Sequence, residues 1–294
     1  MYNISHEITI SNMGNGFDSC SIINAKSGNC SENCKWCAQS AHCKTNTEIY
    51  PLISAQEAVK QATYNSKQGI KRFSLVTSGK RVSKQEIDQI CKIVKELKKI
   101  GSNGECSPIS PCASLGLIDQ EDLQKLYNAG ITRYHCNIET APSFFKNLCT
   151  THTIEDKVKT LMAARKVGME LCSGGIIGMG ETMLQRVEMA HFLKDLNILS
   201  IPINILHPIK GTPLENTPPL SEKEILDTLC MFRIINPKAY IRFAGGRSLI
   251  SKELQEKALH IGVNAAIMGD MLTTLGNSVN EDKQLIEKAG YKMI

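Results

Sequence analysis

Aromatic residues are scarce, at 5% of the chain with a single tryptophan. Nowhere do lysines and arginines form a basic stripe with aromatics interleaved, so a nucleic-acid partner has little support. No stretch reaches the roughly 18 consecutive apolar residues of a membrane span, so no membrane association is expected. The opening residues, Met1-Tyr2-Asn3-Ile4-Ser5-His6-Glu7, carry neither a basic region nor a long apolar core. No secretory signal is read there, and a cytoplasmic location is expected. One-sided charge is also missing: 34 Lys and Arg stand against 29 Asp and Glu, and the formal net charge of +5 is scattered over helix faces. No linker divides the chain. The expectation is a polar lead-in over 1–19, poorly ordered or loosely docked, followed by a single domain over 20–294. What is abundant is cysteine, at 12 residues. Without a secretory signal these read as reduced thiols rather than a disulfide framework.

Strand and helix patterns alternate. Ser21 to Ala25 reads as a strand leading into a cysteine loop. Ser54-x-x-Glu57, Ser83-x-x-Glu86 and Ser221-x-x-Glu224 have the form of capping boxes that open helices. Further strands are expected at Lys71–Val76, within 104–114, at Ile131–Ile138, Met169–Ile177, Ser200–Leu206, Ala239–Phe243 and Gly262–Met268. Helices near 119–129, 154–167, 181–196 and 251–261 separate them. About eight strands joined by crossover helices call for an α/β fold, a (β/α)8 TIM-type barrel with parallel strands. Chemistry then belongs at the C-terminal ends of the strands, the face onto which the cysteine loop falls.

In that loop, Cys30-Ser31-Glu32-Asn33-Cys34-Lys35-Trp36-Cys37 spaces three thiols so that they can converge. Thiolate is the ligand that iron–sulfur clusters select, and a 4Fe-4S cluster held by three cysteines leaves one iron open to a cofactor. His42 and Cys43 follow closely, so a closed zinc site made with one of them is the alternative reading. The motif, with Trp36 before its last cysteine and Ala38-Gln39-Ser40 after it, resembles the cluster loop of radical S-adenosylmethionine enzymes, and of the biotin synthase family in particular. That resemblance implies a 4Fe-4S cluster and S-adenosylmethionine, whose reductive cleavage gives a 5′-deoxyadenosyl radical. It also implies an auxiliary iron–sulfur cluster that donates sulfur to dethiobiotin.

Downstream stretches extend the resemblance. On the fourth strand His135, Asn137 and Glu139 share one face, where a core would be apolar unless the polar groups meet a ligand or one another. Leu171-Cys172-Ser173-Gly174-Gly175-Ile176-Ile177-Gly178-Met179-Gly180-Glu181 fits no dinucleotide fingerprint, but its small residues let backbone approach a flat ligand. The resemblance places Trp36, Asn137, Glu139, Ile176 and Gly178 at the cofactor, and by analogy Thr77, Ser78 and Gly79 at its ammonium group. It places His135, Asn137 and Asn204 at the substrate. For the auxiliary cluster it implies Cys112, Cys172 and Arg242, but Ser74 stands where the family carries a further cysteine. Cys106, within the extra stretch Glu105-Cys106-Ser107-Pro108-Ile109-Ser110, or Cys136 could replace that thiol, or the cluster could depart from the usual 2Fe-2S form. Cys20, Cys91, Cys149 and Cys230 read as small buried or helix-face residues. A flavodoxin or ferredoxin electron donor is implied, with Lys35 and Lys44 as its docking site, and a homodimer is expected. Two rivals remain open: a hydrogenase-cofactor maturase or methylornithine synthase relative, and a non-enzymatic iron–sulfur or zinc module.

Overall fold

Strands and helices alternate through the computed structural model, which describes residues 1–102, 104, 106–269, 272 and 278–294. In chain order they are α1 (Tyr2–Met13), β1 (Gly16–Lys26), α2 (Ala55–Lys67), β2 (Arg72–Thr77), α3 (Lys84–Leu97), β3 (Ser110–Ser114), α4 (Gln120–Ala129), β4 (Arg133–His135), α5 (Pro142–Phe145) and α6 (Ile154–Lys166). Then come β5 (Glu170–Cys172), β6 (Gly175–Ile177), α7 (Met183–Asp195), β7 (Ser200–Ile205), α8 (Glu222–Ile235), β8 (Tyr240–Phe243), α9 (Lys252–Ile261), β9 (Ala265–Ile267), α10 (Val279–Lys288) and β10 (Lys292–Met293).

Local chemistry sets the helix starts. Ser54, Ser83 and Ser221 each accept from the backbone three residues on while the glutamate there returns the bond, so all three capping boxes form. Helix α3 shows why the layer packs: Ile87, Ile90, Val94 and Leu97 recur at helical spacing and are fully buried against the sheet.

Strands β1 to β9 pair in parallel, and β9 returns to β1 through Asp18↔Ala265 and Cys20↔Ile267, which closes the barrel. Strands β5 and β6 both pair with β7 and form one stave, so the nine strands make eight staves. No helix among the described residues is long and apolar enough to cross a membrane.

The structure differs from expectation in several places. Residues 2–13, read as part of a loose lead-in, form α1, which buries Ser5 and Thr9 and packs on α8 and α9. Its Tyr2 hydroxyl donates to Asp227 at 2.8 Å. The first strand starts at Gly16, well before Ser21. The strand expected over Ile131–Ile138 stops at His135, and Glu139 turns out of it at φ +70°. The strand expected over Met169–Ile177 is broken at Ser173 and Gly174. A Cβ on Gly174 would lie 1.9 Å from the Pro202 carbonyl oxygen, so this glycine serves close approach of neighbouring strands. Helix α10 and β10, which pairs with the start of β1, had no counterpart in the sequence reading.

Candidate active site

The cysteine loop crosses the C-terminal end of the barrel and is tied down by its own polar residues. Cys30 N donates to Gln39 O at 3.0 Å, Gly28 N to the Gln39 side chain at 3.0 Å, and Ser40 Oγ to Glu32 O at 2.6 Å. Thr45 and Thr47 both donate to Ala38 O. Cys30, Cys34 and Cys37 thereby line one cavity of about 420 Å³. None of them is in a disulfide. Burial pushes the Cys34 thiol well up and Cys37 up to about 11, so neither is a free thiolate at neutral pH. Thiols of this kind lose the proton on binding metal. Three soft donors facing a common space fit a cluster.

Cys43 lies near enough to Cys37 to raise its thiol pKa, while His42 turns to the loop backbone. The His42 ring lies 3.1 Å from the Ser31 carbonyl. Cys34 has Cys149 at 3.7 Å between sulfurs, and Cys149 lies 3.4 Å from His152 Nδ1. Glu32 holds His152 at 2.5 Å. Cys34, Cys149 and His152 place ligand atoms within 4.8 Å of one another, a grouping the sequence concealed because Cys149 and His152 follow α5, far along the chain.

The other cavity residues divide by what they already bond. Asn204 donates to Gly175 O at 3.0 Å and accepts from Gly245 N at 2.8 Å, so it joins two strand ends as well as facing the cavity. Asn137 accepts from Gly174 N at 3.1 Å. Ser78 Oγ donates to Gly28 O, while the Thr77 hydroxyl is buried with no partner. Burial raises the Glu139 carboxyl against the opposing pull of Lys157, whose Nζ is 3.8 Å away. Trp36, Gly79 and Ile176 line the same cavity; Gly178 lies just beyond, where the Glu181 carboxylate caps its N–H and that of Met179.

At the cavity floor and beneath it the barrel interior is polar. His135 is half-buried at the cavity floor, its Nε2 buried and unpartnered, and loss of solvation, then Arg133 and Arg242, lower its pKa to about 3. Ser74 is fully buried and its hydroxyl has no partner. Cys112 and Cys172 are fully buried, and Ser200 Oγ donates to Cys172 Sγ at 3.2 Å. Arg242 lies beside them, its Nη1 donating to Asp18 O at 3.0 Å and its Nη2 3.3 Å from the Asp18 carboxylate, with Nε unpartnered. Arg133 and Arg72 share the same carboxylate. Unpartnered groups on Ser74, His135 and Arg242, with two buried thiols among them, fit a second soft group here.

Cys106 is outside this space, in the loop before β3 and packed against the outer core; its neighbour Glu105 lies outside the described residues. Cys136 feels Lys157 and Glu139, not the arginines. The sequence reading missed Asp18, Arg72, Arg133 and Cys20 as interior residues. Alternation along an earlier start of β1 would have found two of them.

Two family models match the chain: the radical SAM superfamily over residues 25–193, and the biotin and thiamin synthesis associated domain over 202–292. A biotin synthase of Parabacteroides distasonis is 56% identical over 293 residues, spanning 100% of this chain and 88% of that protein. One of Porphyromonas gingivalis is 56% identical, spanning 100% and 87%. Among solved structures, a methylornithine synthase superposes at TM-score 0.81 with 17% identity, covering 100% of this chain and 88% of that one. A maturase of the FeFe-hydrogenase also reaches 0.81, with 15% identity over 99% and 67% of the two chains. At these identities the structural likeness speaks for the barrel alone, whereas the sequence relatives decide the family: the chain belongs to the biotin synthases, radical S-adenosylmethionine enzymes.

Proposed function

We propose that this chain inserts sulfur into dethiobiotin to form biotin, with the work divided between two levels of one barrel. The observation that carries the reading is the cavity whose rim is Cys30, Cys34 and Cys37 and whose floor is Ser74 and His135. Ser74 pairs with Cys112 and His135 with Cys172, so the strand thiols lie next to that floor.

Cys30, Cys34 and Cys37 would hold the 4Fe-4S cluster, which when bound supplies the electron that cleaves S-adenosylmethionine. Cys112, Cys172 and Arg242 would hold the auxiliary cluster, in its usual form 2Fe-2S, which supplies sulfur. The chain's own residues then bind and orient. Trp36 and Ile176 offer a wall for the adenine, with Gly178 behind it, Glu139 a carboxylate for the ribose, and the backbone at Thr77, Ser78 and Gly79 acceptors for the ammonium group. The uncharged His135 ring, together with Asn137 and Asn204, faces the polar ring of the substrate. Enclosure between strand ends and the cysteine loop keeps water from a reactive intermediate.

Lys35 and Lys44 are exposed on the cysteine loop, which suits an acidic flavodoxin or ferredoxin as electron donor. Cys112, Cys172 and Arg242 together favour sulfur insertion over the chemistry of the structural neighbours. Anaerobic reconstitution with iron and sulfide counting, followed by assay of 5′-deoxyadenosine and biotin, tests the reading. Two clusters and both products are expected; one cluster and no biotin would contradict it.

A further inference from the structure

The auxiliary site lacks a thiol at Ser74, and the strand register identifies a replacement. In an eight-stranded barrel with a shear of about eight residues, level shifts by about one residue per strand, and alternate strands fill one interior layer of four. From Cys20 on β1, the pairs Cys20↔Arg72 and Arg72↔Ser110 lead to a position two residues before Cys112 on β3. From Cys112, Cys112↔Arg133 and Arg133↔Glu170 lead to two residues before Cys172 on β5. From Cys172, Cys172↔Ser200 and Ser200↔Tyr240 lead to two residues before Arg242 on β8. From Arg242, Arg242↔Ala265 and Ala265↔Asp18 lead to two residues before Cys20 itself.

The walk closes with the same step each time. Cys20, Cys112, Cys172 and Arg242 therefore form one layer. By the same rule Ser74 belongs to the adjacent layer with His135, Pro202 and Ile267.

Side-chain surroundings agree. On β1, Asp18 meets Arg242 and Ile22 lines the cavity, so Cys20 between them points inward, whereas Ser21 accepts from Asn65 of the outer helix α2. Cys20 is 1% exposed, and its thiol makes one long contact, 3.5 Å to the Ser21 carbonyl. Burial pushes it up to about 12, with Cys112 adding to the rise and Arg242 and Arg133 opposing it. Those two cations act on Cys172 as well.

We propose that Cys20 supplies the third thiolate of the auxiliary cluster, across from Cys112, Cys172 and Arg242, in place of the position occupied by Ser74. The proposal rests on the two-cluster reading above. The test uses the full chain, reconstituted anaerobically with iron and sulfide, and reads iron and sulfide per chain with absorption and Mössbauer spectra. The variants are C20A, C106A, C136A and the swap C20S/S74C. C20A is expected to lose the auxiliary cluster's iron and spectrum while keeping the loop cluster and forming 5′-deoxyadenosine. C106A and C136A should match the parent, and the swap should regain the lost iron, which separates ligation from a folding defect. A C20A protein with the parent's iron and spectrum, or loss on C106A or C136A instead, would overturn the assignment of Cys20 alone. A parent chain that holds no iron beyond the Cys30, Cys34 and Cys37 cluster would overturn the two-cluster reading and this proposal together.

Discussion

The two thiol sets differ in what positions them. Cys30, Cys34 and Cys37 sit on a loop held by short-range bonds, such as Ser40 to Glu32 and Thr45 to Ala38, and remain partly accessible. Cys112 and Cys172 sit on barrel strands, where register with neighbours fixes each side chain, and both are fully buried. The loop can exchange ligands at its open side; the strands hold their contents away from solvent. On the proposed reading, the radical-forming site needs access for cofactor and electrons, and the sulfur-donating site needs shelter from water.

The largest expected effect breaks the upper level. Cys34→Ala should reduce 5′-deoxyadenosine and biotin alike to the protein-free background, measured by chromatography after anaerobic turnover. Next comes the charge beneath the lower level. Burial raises the Asp18 carboxyl, but Arg242, Arg133 and Arg72 outweigh that and hold it below its ordinary range. Asp18→Ala leaves three guanidiniums facing one another, and removal of a partner from a buried ion pair costs about 3–5 kcal/mol. Urea unfolding of the apo chain measures that loss. Because the folded carboxyl is depressed, its contribution is present above the unfolded pKa of about 4 and is lost as pH falls through the lower folded value. Parent and variant should therefore converge in stability on acidification.

Smaller effects sharpen the contrast between strand and loop. Gly174→Ala puts a methyl against the Pro202 carbonyl at the break between β5 and β6, and overpacking of this kind costs about 1–3 kcal/mol. The lowered urea midpoint should accompany a greater loss of biotin than of 5′-deoxyadenosine. Ser83→Ala removes the cap of α3, away from both levels, at about 1 kcal/mol. It should lower the urea midpoint and leave the ratio of products unchanged.

Much of this architecture was readable because local signals agreed with the global fold. Ser54, Ser83 and Ser221 announced their helices, and the cysteine spacing in 30–37 announced a cluster loop at the catalytic end. Where the reading failed, the determinants were small polar residues or contacts through space. Helix α1 went unread because the residues it buries are Ser5 and Thr9, which give no apolar stripe. Cys20 reads from the sequence as a small buried or helix-face residue; a strand from Gly16 puts Asp18, Cys20, Ile22 and Asn24 on one face. The glycines near 174 suggested room for a flat ligand, whereas Gly174 answers to the carbonyl of Pro202. Cys149 and His152 reach Cys34 through folding alone, and no spacing rule connects them.

The division of labour is tested most directly by the products of Cys112→Ala after anaerobic turnover with S-adenosylmethionine, dethiobiotin and a reductant. The account predicts that 5′-deoxyadenosine still forms while biotin falls to background, with the loop cluster's spectrum intact. Biotin at the parent's level from that variant would contradict it.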